Sequence, residues 1–165
     1  MKKFTKSLLV TLAMATMVVS PSANAADITP AAQNILSYGS QGSFGGSDEF
    51  FTGKVQVDML FPATSELPAS GGYVTFAPGA RSAWHTHPVG QTLLVIEGVA
   101  WTQEWGKPIT EAHVGDVIVC PANIKHWHGA SPGSRMKHLA LTGTTADGKN
   151  VTWLEKVSDE QYNGK

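Results

Sequence analysis

From residue 50 onward the chain is a series of short β-rich runs parted by turn residues, and this alternation limits the possible fold more than any other feature. The runs fall at 51–61, 72–77, 92–96, 99–105, 117–120, 136–142 and 151–157. Between them stand Pro78-Gly79, Pro88-Val89-Gly90, Gly106-Lys107-Pro108, Pro132-Gly133 and Asp147-Gly148. Pro and Gly set or permit the backbone angles of tight turns, and Asp-Gly is a hairpin signal. Helical periodicity is not sustained anywhere after residue 25, apart from one turn of helix expected at 158–162. Several short strands at this spacing predict an all-β sandwich or barrel.

Ahead of that region, Lys2, Lys3 and Lys6 precede an apolar stretch at 8–19 and then Ala23-Asn24-Ala25. A cationic start, a short apolar run and a small-residue site are the parts of a secretory signal peptide, and the run is shorter than the ~20 residues of a spanning helix. The expected organisation is therefore a signal peptide at 1–25, an N-terminal arm at 26–49 and a single barrel domain at 50–165, in an exported, periplasmic or secreted protein. Cleavage after Ala25 removes three lysines and no acid, moving the formal charge from −1 to −4 and leaving 140 residues, the size of one ordinary domain. The arm is rich in Gly, Ser and Ala, with one short strand expected near Ile35-Leu36 and a contact to a neighbouring subunit. Together with exposed strand edges it predicts a homo-oligomer, a dimer or tetramer. No later segment is apolar enough to cross a bilayer and no Lys/Arg cluster is present, so neither a membrane after signal cleavage nor a nucleic acid is an expected partner. Cys120, the only cysteine, ends Val117-Ile118-Val119 before Pro121 and reads as a buried strand residue rather than a nucleophile.

Histidine is the informative residue type. His85-Thr86-His87 and His126-Trp127-His128 share one spacing, and residues i and i+2 of a strand point to the same face. If that face is the barrel interior, the imidazoles converge as a first-row divalent metal requires. A lone buried histidine is more often a hydrogen-bonded core residue; two such pairs in one small β domain shift the balance to metal. His138 lies in a third strand-like segment, whereas His113 has no partner in phase and reads as a surface residue. Trp84 and Trp127 alternate with these histidines and are expected outside the barrel or at a subunit contact.

Gly79, His85, His87, Gln91 and Gly98 stand at the intervals of the first motif of the cupin family, and Gly115, Pro121 and His126 at those of the second. Asn123 replaces a glycine of that second motif and Ala130 its asparagine; Asn tolerates the left-handed backbone a turn glycine provides. The chain thus resembles a small single-domain cupin, which implies a jelly-roll-like β-barrel. The run 76–92, with His85-Thr86-His87-Pro88-Val89-Gly90-Gln91-Thr92, resembles more narrowly the bacterial cupin hydroxynitrile lyases, as do 125–130, 138–140 and 157–162. The exported N-terminus and arm depart from that group.

The resemblance implies one divalent metal per subunit, held by His85, His87, Gln91 and His126, with Gln91 alternatively reaching the ion through water. Three imidazoles and an amide oxygen are a neutral set that leaves the ion its full charge, and four protein ligands leave room for water. Manganese is favoured over iron, nickel or zinc. His128 and His138 are the expected catalytic bases, or else structural supports of the ligands. Gly72 and Val74, inward if Phe76 is, and Thr142, in phase with His138, are the expected substrate pocket. Arg81 is expected to be a surface residue or to fix a loop rather than to bind substrate. The implied activity is metal-dependent carbon–carbon cleavage of a small-molecule substrate, a cyanohydrin giving aldehyde and cyanide. A metal-dependent dioxygenase and a non-catalytic exported binding barrel are the alternatives the same motifs allow.

Overall fold

The computed structural model describes residues 32–164, so the signal-peptide reading and the first residues of the arm lie outside the described residues. In chain order the strands are β1 (Ser43–Gly45), β2 (Phe51–Thr52), β3 (Val55–Phe61), β4 (Ala69–Phe76), β5 (Arg81–Ser82), β6 (His85–Thr86) and β7 (Gln91–Gly98). They continue as β8 (Ala100–Glu104), β9 (Thr110–Ala112), β10 (Val117–Cys120), β11 (His126–Ala130), β12 (Met136–Gly143) and β13 (Thr152–Trp153), before a short helix α1 (Asp159–Tyr162). Two curled antiparallel sheets face one another, one ordered β1-β3-β4-β12-β7-β10 and the other β13-β6-β11-β5-β2, with β8 on the far side of β11 and β9 beyond it. This is the all-β barrel that the strand spacing predicts.

Period-two patterning builds the walls. Along β7, Gln91, Leu93 and Val95 are buried while Thr92, Leu94 and Ile96 turn outward; along β12, Met136, His138, Ala140 and Thr142 are buried against Lys137, Leu139 and Leu141 outside. The inner row of β12 also changes character along its length. Met136 joins Val55, Phe76, Val95, Ala100 and Ala130 in an apolar plug, whereas His138 and Thr142 continue the row into the polar half of the interior. Burying Val55, Phe76, Val95 and Met136 stabilises the fold by roughly 1.5–3 kcal/mol each. The plug closes one end and leaves the other for chemistry.

A second apolar layer lies outside the second sheet, where Trp84, Trp127, Val157 and Tyr162 pack together. Arg81 pins the chain over them: its guanidinium donates to the Val157 carbonyl and to Asp159, and lies 4.6 Å from the centre of the Tyr162 ring. It is thus buried and fixes the C-terminal segment. Ser158 and Gln161 form a reciprocal capping box that starts α1. Cys120 is buried, and His113 is exposed.

Several local expectations are corrected. Ile35 and Leu36 are irregular and exposed; the arm's strand is β1, which pairs with β3. The run 51–61 is broken by Gly53, at φ 81°, into β2 and β3, which belong to different sheets. Asp147-Gly148 makes a tight turn, with the Gly148 N–H donating to the Thr145 carbonyl, but no hairpin: β12 enters this turn from the first sheet and β13 leaves it for the second. Asn123 adopts φ 64°, the left-handed conformation that lets it stand where a turn glycine serves elsewhere. At Gly129 a Cβ would come within 2.4 Å of the Ala80 carbonyl oxygen, so only glycine lets β11 lie this close to β5.

Candidate functional site

Three short strands set the imidazoles side by side. In β11, His126 stands directly opposite His85 of β6, and on the other flank of β6 Trp153 of β13 stands opposite the same residue. The ring centres of His85 and His126 are 4.3 Å apart, those of His85 and His87 4.9 Å, and those of His87 and His126 5.6 Å. All three side chains are buried.

Hydrogen bonds decide which nitrogen each ring offers. His85 Nδ1 donates to the Ala83 carbonyl at 2.9 Å, His87 Nδ1 to the Asn150 carbonyl at 2.6 Å, and His126 Nδ1 to the Ile124 carbonyl at 3.0 Å. A carbonyl only accepts, so each ring carries its proton on Nδ1 and keeps the lone pair on Nε2. The Nε2 atoms of His87 and His126 are buried without a partner. Gln91 behaves alike: its Nε2 donates to the Thr142 hydroxyl at 3.0 Å, and its Oε1 is left buried and unpaired. Thr142 stands opposite Gln91 across β12 and β7, so sheet register orients this amide. Unpaired buried acceptors cost stability unless something binds them. Nε2 and amide-oxygen lone pairs, each steadied by a hydrogen bond on the far side of its group, fit a divalent cation.

His128 and His138 are arranged differently. His138 Nε2 and His128 Nδ1 are 3.2 Å apart, the two rings meet nearly at right angles, and Phe76 packs against both. Each ring is held by the other rather than by a carbonyl, and His138 Nδ1 is buried without a partner. Among the described residues, His85, His126 and His128 each bring a ring nitrogen within 4.8 Å of the others, a group that contains His128 and not His87. This buried group can hold a metal ion.

Burial pushes every one of these rings toward the neutral form. His126 is lowered to about 4 and His138 to about 3, in both cases chiefly by desolvation. His85 and His128 fall well below the usual imidazole range, again by burial and then by neighbouring histidines, and His87 is lowered less, because Asn150 and Gln91 oppose its desolvation. Neutral imidazoles are both the metal-binding and the proton-accepting form.

A cavity of about 430 Å³ opens beside the histidines, and His85, His87, Gln91, His128 and His138 border it. Gly72, Val74 and Thr142 line the same cavity. Its wall includes residues that the sequence reading missed: Phe44 and Phe50 from the segment before the barrel runs, and Trp153 from β13. No periodic signal marks these positions: Phe50 lies in a turn, and the strands that carry Phe44 and Trp153 have three and two residues, too few for a period to read.

Residues 72–141 match the family profile described as cupin domain. The chain is 51% identical over 124 residues to an (R)-mandelonitrile lyase of Granulicella tundricola, an alignment spanning 75% of this chain and 94% of that protein. A cupin-like protein of Thermotoga maritima superposes with a TM-score of 0.67 at 39% identity, over 80% of this chain and 96% of that one. A cupin 2 conserved barrel domain protein of Rhodopseudomonas palustris shares the fold, with a TM-score of 0.54 at 19% identity, over 65% of this chain and 79% of that one.

Proposed function

Since this chain belongs to the cupin superfamily and resembles its bacterial hydroxynitrile lyases, we propose that it is a metal-dependent lyase that cleaves, or in reverse forms, the carbon–carbon bond of a small cyanohydrin. His85, His87, Gln91 and His126 would hold one divalent ion, manganese before iron, nickel or zinc, because neutral imidazole nitrogens and an amide oxygen suit such an ion. Such an ion supplies Lewis acidity that makes a nearby hydroxyl a better proton donor. His128 and His138 serve as the base. The observation that carries this reading is their pairing: two neutral imidazoles in mutual contact at 3.2 Å, bordering the same largely apolar cavity as His85 and His87.

The chemistry asked of the chain is modest. The hydroxyl proton of the cyanohydrin passes to His128 or His138, the carbonyl forms as the carbon–cyanide bond breaks, and the bonding pair leaves with cyanide. The same histidine pair returns the proton, so hydrogen cyanide and an aldehyde depart and the protein is restored. General base catalysis of this kind contributes about 10²–10⁴-fold. We further place the protein outside the cytoplasm, after loss of residues 1–25, as a homo-oligomer, with the arm at the subunit contact.

Elemental analysis of the mature protein beside a His126→Ala variant, with both assayed for aldehyde release from racemic mandelonitrile, tests the proposal. Near-stoichiometric metal and activity, both lost in the variant, support it. Metal without cleavage redirects the search to dioxygen consumption or to a binding barrel. An absence of metal under replete conditions removes the ligand assignment.

A further inference from the structure

Trp153 has no part in the chemistry above, yet its place is unlike that of any other tryptophan in the chain. Trp84 and Trp127 pack outside the second sheet with Trp101 against them, and Trp105 is about half exposed. Only Trp153 lines the cavity. Pairing of β13 with β6 sets it opposite His85, with ring centres 4.9 Å apart. Backbone hydrogen bonds lock that register, from the Leu154 N–H to the Trp84 carbonyl and from the Trp84 N–H to the Glu155 carbonyl, each 2.9 Å. Phe50 stacks on the indole at 4.9 Å and 13°, and Phe51 meets it edge-on at 5.5 Å and 67°. The Phe50 carbonyl accepts from the Ala83 N–H at 2.7 Å, so the stacking partner is anchored to the same stretch of chain as His85.

The cavity therefore has two unlike walls. On the second-sheet side stand the rings of Phe50 and Trp153, fixed by each other and by the backbone. On the first-sheet side stand Val57, Met59 and Val74, with the ring of Phe44 of β1 beside them at the edge of that sheet. A space bounded on one side by stacked, braced aromatic rings accepts a flat, polarisable group more readily than a branched saturated group of the same carbon count. Aromatic pairs also gain beyond simple area burial. A wall that is already rigid in the free protein loses little freedom on binding.

We propose that Trp153, braced by Phe50, is a substrate-positioning residue that selects planar, unsaturated substituents on the hydroxyl-bearing carbon over saturated branched ones. The inference rests on the lyase reading only in naming which substituent is held; the binding preference stands apart from turnover.

The test compares metal-replete wild type, Trp153→Leu and Trp153→Phe for binding of benzyl alcohol and cyclohexylmethanol by titration calorimetry, with metal content and far-UV circular dichroism recorded for each. Wild type is expected to bind the aryl alcohol about tenfold tighter, an advantage of the size one aromatic contact provides. Trp153→Leu is expected to abolish that preference and Trp153→Phe to keep most of it. In turnover of mandelonitrile, Trp153→Leu is expected to raise KM about tenfold with kcat changed less than about threefold, since the contact exists before and during the reaction. A wild type without aryl preference, or a folded, metal-loaded Trp153→Leu that keeps it, overturns the proposal. If no cyanohydrin is cleaved at all, the lyase reading fails, while the two alcohols still decide the role of Trp153.

Discussion

The two His-x-His segments have identical spacing and opposite arrangements. In the first, His85 and His87 both donate Nδ1 to backbone carbonyls, of Ala83 and Asn150. In the second, only His126 does so, through Ile124, while His128 turns its Nδ1 to the ring of His138. A carbonyl fixes a proton on the far nitrogen and leaves a lone pair for a cation; another imidazole can give or take that proton. Spacing thus brings four imidazoles to one face, and the partner of the far nitrogen is what distinguishes the proposed ligands from the proposed base.

The sharpest way to break this contrast is to remove one histidine of the second pair at a time. His126→Ala is expected to weaken metal binding by more than about 100-fold, because a direct ligand matters more than its supporting contacts, whose loss costs about 10–100-fold. His128→Ala is expected to keep its metal under the same dialysis. Equal metal loss in the two variants would make His128 a ligand and end the distinction. Next in size, His138→Ala is expected to lower kcat by about 10²–10³-fold at full metal content. An unchanged rate would assign the base to His128 alone.

A smaller effect probes the amide. Thr142→Val removes the acceptor that holds the Gln91 NH₂ group, freeing the amide to rotate, and metal affinity is expected to fall about tenfold. Smallest is the response of the metal-free fold to acid. His126 titrates at about 4 and His138 at about 3 in the folded protein, against an ordinary value of 6.5. Between those values the unfolded chain binds more protons than the folded one. Stability from these buried rings is therefore complete above about pH 6.5 and declines as the pH falls through about 4. Urea midpoints of metal-free protein at pH 7.5 and pH 5 should show this decline, and His138→Phe should shallow it.

Long strands were legible in the sequence because each repeats its period. Met136, His138, Ala140 and Thr142 alternate clearly enough to identify an inner face, and the H-x-H pairs identify where imidazoles gather. Register was not legible. That Gln91 faces Thr142, and His85 faces both His126 and Trp153, depends on pairings between segments distant in the chain. Asp147-Gly148 shows the same limit: the dipeptide specifies a reversal of direction but carries no information on which sheet receives the chain. β13 has two residues, too few for any pattern, and Phe44 reaches the cavity from an arm whose expected strand lay several residues earlier.

The turn that crosses between sheets has an evolutionary consequence. A single stretch, residues 144–153, ties the end of β12 to the Asn150 carbonyl that orients His87 and then to the indole of Trp153. An insertion or deletion there shifts a ligand's orienting partner and the aromatic wall together. On the proposed roles, lineages that vary this loop would change cation retention and preferred side group as one inherited trait, whereas substitutions on the first sheet, such as at Val57 or Met59, would reshape the opposite wall and leave the histidine cluster as it is.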